Sequence, residues 1–365
     1  MKFVKETTGQ KRNLEIDIIR GIAMIFVLWG HSIQYCCVGY FDFFENFVFR
    51  FIYSFHMPLF IFISGYAFYW SCQKRYLRTI LIKVIKGLGS SIIIWNTIQW
   101  IFSVILDLRK GNTLSIIGYV KWWISSLYGL WFLWSILIFS ISVSLIYKKV
   151  NKLSIKLLLW FCVWITMVCL PDIIEPAKNC NIWLFPYFLS AFLFHEYQPK
   201  FEKYLNIQYL ALPLFPIMLF FFHKRDYIYT SGINPFNSSY GVKIQIGIDL
   251  YRWMLGVVGS IFIITILLFI YSKTKSMKFW TLISNVGQNT LQIYVLQALI
   301  LERIFSMIYA KITLTIDSNL LAKNMVLYNF VWTPLLTIIL LVVFMVIISF
   351  MKKRLPKFSK FIFGR

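Results

Sequence analysis

The chain of 365 residues is 59% hydrophobic and only 14% charged, with 36 Phe, 21 Tyr and 14 Trp, whereas a soluble domain is about a quarter charged. Repeated apolar runs near or beyond about 18 residues exclude an ordinary soluble fold and predict an all-α, polytopic integral membrane protein. The net charge of +23 sits in short clusters between these runs, with no basic groove or zinc spacing, so membrane lipid is the expected partner and nucleic acid is not.

In chain order, about ten spans are predicted, near residues 14–36, 48–71, 82–106, 127–147, 155–171, 182–197, 207–222, 249–271, 286–309 and 325–351. No polar stretch is long enough for a separate soluble domain, so residues 1–365 read as one membrane-embedded domain with short tails about 1–13 and 352–365. The first run holds Asp17 and Arg20 and no small-x-small cleavage pattern follows it, which favours a retained helix over a cleaved signal. Basic clusters at Lys74–Lys86, Lys148–Lys156, Lys273–Lys278 and Lys352–Lys360 fall on one side of this plan, which places both termini in the cytoplasm. The longest non-apolar segment, His223–Gly247, lies outside as an ordered or lid-like loop or as a plain connector.

In the first span, Asp17, Arg20 and His31 are the polar exceptions. Eleven residues bring a helix back to within about 20° of its start and three leave about 60°, so all three share one side. Arg20 and His31 then stand about 16 Å apart along the axis. Such a stripe implies a polar cleft, because lipid makes each of these groups costly. His31 can exchange a proton near neutral pH or carry an acyl group itself. Asp17 belongs to the same site or only pairs with Arg20.

The second span carries His56 beside Pro58, as a wall of the same cleft or as a packing histidine. Arg75 and Arg78 follow at a spacing that can grip phosphate oxygens, although the positive-inside bias alone also explains them. The third span adds Trp95, Asn96, Gln99 and Trp100, suited to sugar faces and hydroxyls or to anchoring at the membrane interface. Arg252 in the eighth span is a site candidate by default, and helix–helix pairing is the simpler reading of Glu302 in the ninth. Six cysteines without CxxC spacing read as apolar fillers, and no metal is expected.

These motifs carry a resemblance. DIIRGIAMIFVLWGH resembles the first helix of the membrane acyltransferase-3 family, FHMPLFIFISGY its second helix and RYLR its cytoplasmic RxxR element. LWFLW (130–134) is similar to its WFL element, and NVGQNTLQIYVLQ (285–297) to its late helix. The resemblance implies a multi-pass O-acyltransferase of the bacterial plasma (inner) membrane. Such an enzyme moves an acyl group, most often acetyl from acetyl-CoA, to a hydroxyl of a surface or lipid-linked glycan. It implies His31 and Arg20 as catalytic residues, with Asp17 beside them, Arg75 and Arg78 on the acyl-CoA side, and Trp131, Phe132 and Leu133 lining the site. It also departs from the family: Gln297 stands where the late helix has histidine, and Thr290 where it has serine. If that histidine carries a proton, His56 or a water must replace it; if it orients substrate, glutamine serves. A glycan or glycolipid flippase without transfer activity is the rival reading, and a homo-oligomer or a glycan-export machine is the further partner implied.

Overall fold

A computed structural model of the chain describes residues 13–36, 42–169, 177–201, 206, 208–235, 238–305, 307–308 and 324–364, and all regular structure among them is helical. The expected tail before residue 13 and the last residues of the fifth and ninth expected spans lie outside the described residues.

Helix α1 (Leu14–Cys36) opens on Asn13, whose side-chain oxygen accepts from the N–H groups of Glu15 and Ile16 at 3.0 and 3.2 Å. This cap satisfies two donors that a first helical turn leaves without partners. Helices α2 (Phe47–Tyr53) and α3 (His56–Lys74) follow. Pro58 stands in the first turn of α3, where a missing N–H is tolerated. Helices α4 (Leu77–Val84) and α5 (Ser90–Arg109) are joined by a π-helical turn, Ile85–Gly89. Next come α6 (Ile116–Ser126), α7 (Trp131–Lys149), α8 (Leu153–Cys169), α9 (Ala177–Phe201) and α10 (Ala211–Phe220). A short α11 (Ile228–Ser231) precedes α12 (Val242–Lys273), α13 (Lys278–Gln288) and α14 (Thr290–Leu299), which runs on as a π-helix, Ile300–Phe305. The chain closes with α15 (Met325–Leu327), a π-helix (Tyr328–Trp332), α16 (Thr333–Arg354) and α17 (Pro356–Phe363).

The expected count of ten spans is corrected. Among the described residues, five segments are long and apolar enough to cross a membrane: Leu14–Cys36, Phe47–Lys74, Trp131–Lys149, Val242–Lys273 and Met325–Arg354. The other five apolar runs fail for separate reasons. Among the described residues, two form helices of 17 and 10 residues, α8 and α10, shorter than the roughly 20 that a bilayer core needs, and α8 is described only as far as Cys169. Helices α5 and α9 are not among the five: α5 carries the buried amides Asn96 and Gln99, and α9 contains Pro186 and Pro199. The ninth run is broken at Asn289 and again where the π-helix begins. Both termini on one side required an even number of crossings, so that expectation falls with the count. The segment read as one loop, 223–247, is largely ordered: it holds a 3-10 turn at Lys224–Asp226, then α11, and its last residues are the first turn of α12.

The chain divides into two compact units, Met1–Ala67 with Pro186–Ile347 and Phe68–Phe185 with Ile348–Arg365. In the first, α13 packs along α1. A Cβ at Gly287 would lie 1.8 Å from the Asp17 carbonyl oxygen, and one at Gly21 would lie 2.2 Å from that of Ile283. Two glycines therefore set how closely these backbones approach. The C-terminal half of α1 is fixed by polar contacts: Trp29 Nε1 donates to Thr333 Oγ1 at 3.0 Å, Thr337 Oγ1 to Ser32 Oγ at 3.2 Å and the Tyr328 hydroxyl to Ile33 O at 2.8 Å. In the second unit, Ser135 Oγ donates to Asn181 Oδ1 at 2.5 Å, and Phe139 meets Phe185 edge to face at 5.3 Å. There α17 backs onto α5, with Trp95 Nε1 donating to Ile362 O at 2.9 Å and its ring stacked on Phe363.

Candidate active site

His31 lies about three-quarters of the way along α1, and its Nδ1 is 3.4 Å from Oε1 of Glu302. That is longer than a well-formed hydrogen bond. Gln297 approaches the same carboxylate oxygen, donating from Nε2 at 3.0 Å. Tyr35, one turn beyond His31, stacks on its ring at 5.7 Å and hydrogen-bonds to Glu302 as well. The side chains of His31 and Glu302 keep 21% and 25% of their exposure, although Nδ1 of His31 is itself buried. Gln297 is fully buried, and its Oε1 has no hydrogen-bond partner.

Tyr53 closes one side of this group. Its ring is 6.4 Å from that of His31 and 4.5 Å from that of His56, and its hydroxyl donates to Gln34 Oε1 at 3.0 Å. Gly30 makes room for it, because a Cβ there would meet the Tyr53 ring at 2.8 Å. His56 is 2% exposed and holds Ile52 O through Nδ1 at 2.9 Å. It therefore forms a buried wall behind Tyr53, while His31 faces accessible space. Asp17 is buried near the start of α1, and Arg20 is half-buried one turn further on. Eleven helical residues place Arg20 about 16 Å from His31 along the axis.

The second unit carries Arg75, Arg78, Asn96 and Trp131. Arg75 and Arg78 are exposed where α3 gives way to α4. A groove of about 450 Å³ beside them is lined by Leu77, Arg78, Leu81, Ile82, Ile85 and Lys86. This is an apolar floor with a cation at each end. Asn96 is 1% exposed, and its Nδ2 donates to Ile92 O and Leu127 O at 2.9 and 3.1 Å. Trp131 starts α7 and lies edge-on to Phe132 at 6.0 Å.

Arg252 has a different setting. It is 3% exposed and its guanidinium donates to Asp226 O, Gly232 O, Asp249 Oδ1 and Ser231 Oγ at 2.8, 2.9, 3.2 and 2.6 Å. It thereby ties the 226–232 segment to α12. The same segment is fastened at its other end, where Lys224 pairs with Asp42 and the Tyr227 hydroxyl donates to Phe44 O at 3.1 Å. The Lys224 ammonium holds the Asp42 carboxyl below its ordinary range, and Asp42 in return raises Lys224. Burial pushes the Tyr227 phenol up.

Glu302 is the site residue whose partner the sequence did not disclose. In an α-helix, residues five apart point about 140° away from each other, so Gln297 and Glu302 would not meet. The π-helix Ile300–Phe305 widens the turn and brings them together. Such turns recur at functional sites. The only sequence signal was a carboxylate within an apolar run. Among the described residues, no group of three or more His, Cys, Asp or Glu is placed to hold a metal ion.

The chain is 26% identical over 187 residues to the nodulation protein NolL of Mesorhizobium japonicum, covering 51% of this chain and 48% of that protein. It is 26% identical over 197 residues to the nodulation protein NolL of Sinorhizobium fredii, covering 52% and 50%. The chain thus spans about half the length of the curated relatives it matches. No solved structure matches it. The family model described as "Acyltransferase domain" matches residues 13–354, nearly the whole chain. This multi-pass bacterial membrane protein belongs to the membrane acyltransferase-3 family.

Proposed function

We propose that the protein is a membrane O-acyltransferase that moves an acyl group, in the first instance acetyl from acetyl-CoA, to a hydroxyl of a surface or lipid-linked glycan. The observation that carries this reading is the His31–Glu302–Gln297 group: an accessible imidazole beside a carboxylate that a buried amide holds in place. His31 takes the proton of the acceptor hydroxyl as its oxygen attacks the thioester carbonyl. The new C–O bond forms, the C–S bond breaks, and the protonated imidazole returns the proton to the leaving thiolate. Glu302 orients the ring and stabilises its protonated form, the task of a carboxylate behind a catalytic histidine. Gln297 keeps Glu302 turned toward His31. Arg75 and Arg78 hold the phosphates of the donor through their planar forks. Arg20 and Asp17 complete the polar side of α1.

The test is transfer itself. Purified protein is incubated with acetyl-CoA labelled in the acetyl group and with glycan from cells that lack the protein, and label in the glycan is measured. Translocation of glycan without transfer from any of a panel of acyl donors would favour a flippase and overturn the enzyme reading.

A further inference from the structure

Helix α5 presents a polar face that the chemistry above does not use. Asn96, Gln99 and Trp100 are spaced i, i+3 and i+4 and share one side of the helix. Asn96 and Gln99 are 1% and 3% exposed. Yet Asn96 Oδ1, Gln99 Nε2 and Trp100 Nε1 are all buried without a hydrogen-bond partner. The orientation of the Asn96 amide is fixed, because its Nδ2 bridges the carbonyls of Ile92 and Leu127 and cannot exchange places with the oxygen. Three neighbouring indoles are satisfied: Trp95 by Ile362 O at 2.9 Å, Trp123 by Thr97 Oγ1 at 3.0 Å and Trp134 by Leu127 O at 2.8 Å. Buried polar atoms are normally paired, and each orphan costs stability. Three on one face of one helix call for a common partner.

Gly129 shows where that partner enters. It is exposed, and a Cβ on it would stand 3.5 Å from Asn96 Oδ1 and 4.0 Å from Gln99 Oε1. With no side chain at Gly129, the position next to both amides is left unfilled. The unmet set is one acceptor and two donors of neutral chemistry. A phosphate could use only the donors. A single secondary amide offers one donor and one acceptor, leaving an atom unmet. Neighbouring hydroxyls of a sugar ring both donate and accept, and they fit all three.

We propose that the Asn96–Gln99–Trp100 face is a carbohydrate subsite, taking a sugar ring of the acyl acceptor through neighbouring hydroxyls, with Gly129 as its mouth. The assignment rests on the acyltransferase reading and names which side chains grip its acceptor.

The experiment uses cells that lack the protein, supplied with wild type, Gln99→Met, Trp100→Phe or Gly129→Leu. Gln99→Met keeps the shape and removes the amide; Trp100→Phe removes the N–H; Gly129→Leu fills the mouth. The acylated fraction of the surface glycan is measured by mass spectrometry and normalised to protein in the membrane. The affinity of each purified protein for CoA is measured by calorimetry. The expected result is at least a tenfold fall in acylation for Gln99→Met and Gly129→Leu, a smaller fall for Trp100→Phe, and CoA affinity within twofold of wild type. Acylation equal to wild type in all three variants overturns the subsite while leaving the transferase standing. A tenfold loss of CoA affinity assigns the face to the donor and also overturns it. Wild type that adds no acyl group to the glycan removes the transferase reading, and the subsite with it.

Discussion

Gln297 and Glu302 are five residues apart and joined by a hydrogen bond of 3.0 Å, Nε2 to Oε1. The π-helix at Ile300–Phe305 makes this possible, and Glu302 thereby reaches Nδ1 of His31 at 3.4 Å. The late helix is thus locally unwound where it presents a carboxylate to α1.

His31→Ala should lower transfer by about 10²–10⁴-fold, the range for removing a general base. Glu302→Gln removes the carboxylate's charge and keeps its shape. It should lower kcat by about 10–100-fold, about 1.4–2.7 kcal/mol, with the KM for acceptor within about twofold. Steady-state kinetics on purified protein check both, and a rise in KM with kcat unchanged would assign Glu302 to substrate binding instead.

Gln297→Ala should reduce kcat by about 5–150-fold, because the lost hydrogen bond frees Glu302 to turn from His31. Gln297→His should retain most of the activity, since a histidine can also donate to the carboxylate. Near-normal turnover of the alanine variant would show that Glu302 needs no such support. If His56→Ala is as damaging as His31→Ala, the proton route runs through the buried wall.

Arg75→Ala and Arg78→Ala should raise the KM for acyl-CoA about tenfold or more, with the KM for acceptor little changed. Lysine at either position should restore only part of the donor affinity, because it lacks the planar fork. Equal donor affinity in all variants, measured on correctly inserted protein, would reduce both arginines to topology signals.

Gly287→Ala should destabilise the protein by about 1–3 kcal/mol. A Cβ there collides with the Asp17 carbonyl at 1.8 Å, and backbone cannot move aside as a side-chain tip can. Gly247→Ala in α12 is the control: nothing lies within 4 Å of its Cβ position. It should stabilise by about 0.5–1 kcal/mol through helix propensity. Thermal unfolding in detergent, followed by tryptophan fluorescence, compares the two.

The Asp42–Lys224 pair sets a pH window for the 224–232 segment. The Asp42 carboxyl is lowered by Lys224 and by the Phe44 N–H, so its contribution is present above its unfolded value of about 4 and is lost as pH falls through the lower folded value. Lys224 is raised by Asp42, so its contribution is complete below about 10.4 and is lost at higher pH. Hydrogen-exchange protection of the segment should be steady from about pH 5 to 9 and fall in acid. Asp42→Asn should weaken it throughout and flatten its acid limb.

The sequence by itself determined what depends on local pattern. Apolar runs gave the helical membrane class, and the bounds of α1 follow from an unbroken run opened by Asn13. Helical periodicity put Asp17, Arg20 and His31 on one side, and the order of the motifs pointed to the family that the chain matches. Tertiary structure decided what depends on distant residues or on hydrogen-bond register. In one of the runs that is not a single long helix, interruptions at Asn289 and Ile300 divide a stretch that looks continuous in hydropathy. The partners of Arg252 lie up to 26 residues away in a folded loop, so its charge alone could not reveal them. The meeting of Glu302 with Gln297 and His31 needed a π turn, which shifts the face a residue occupies by roughly one residue's rotation. It also needed α14 packed against α1, with Gly21 and Gly287 bringing the preceding helix close. Composition and periodicity carry no record of that register, because it is set by backbone contacts between segments more than 250 residues apart.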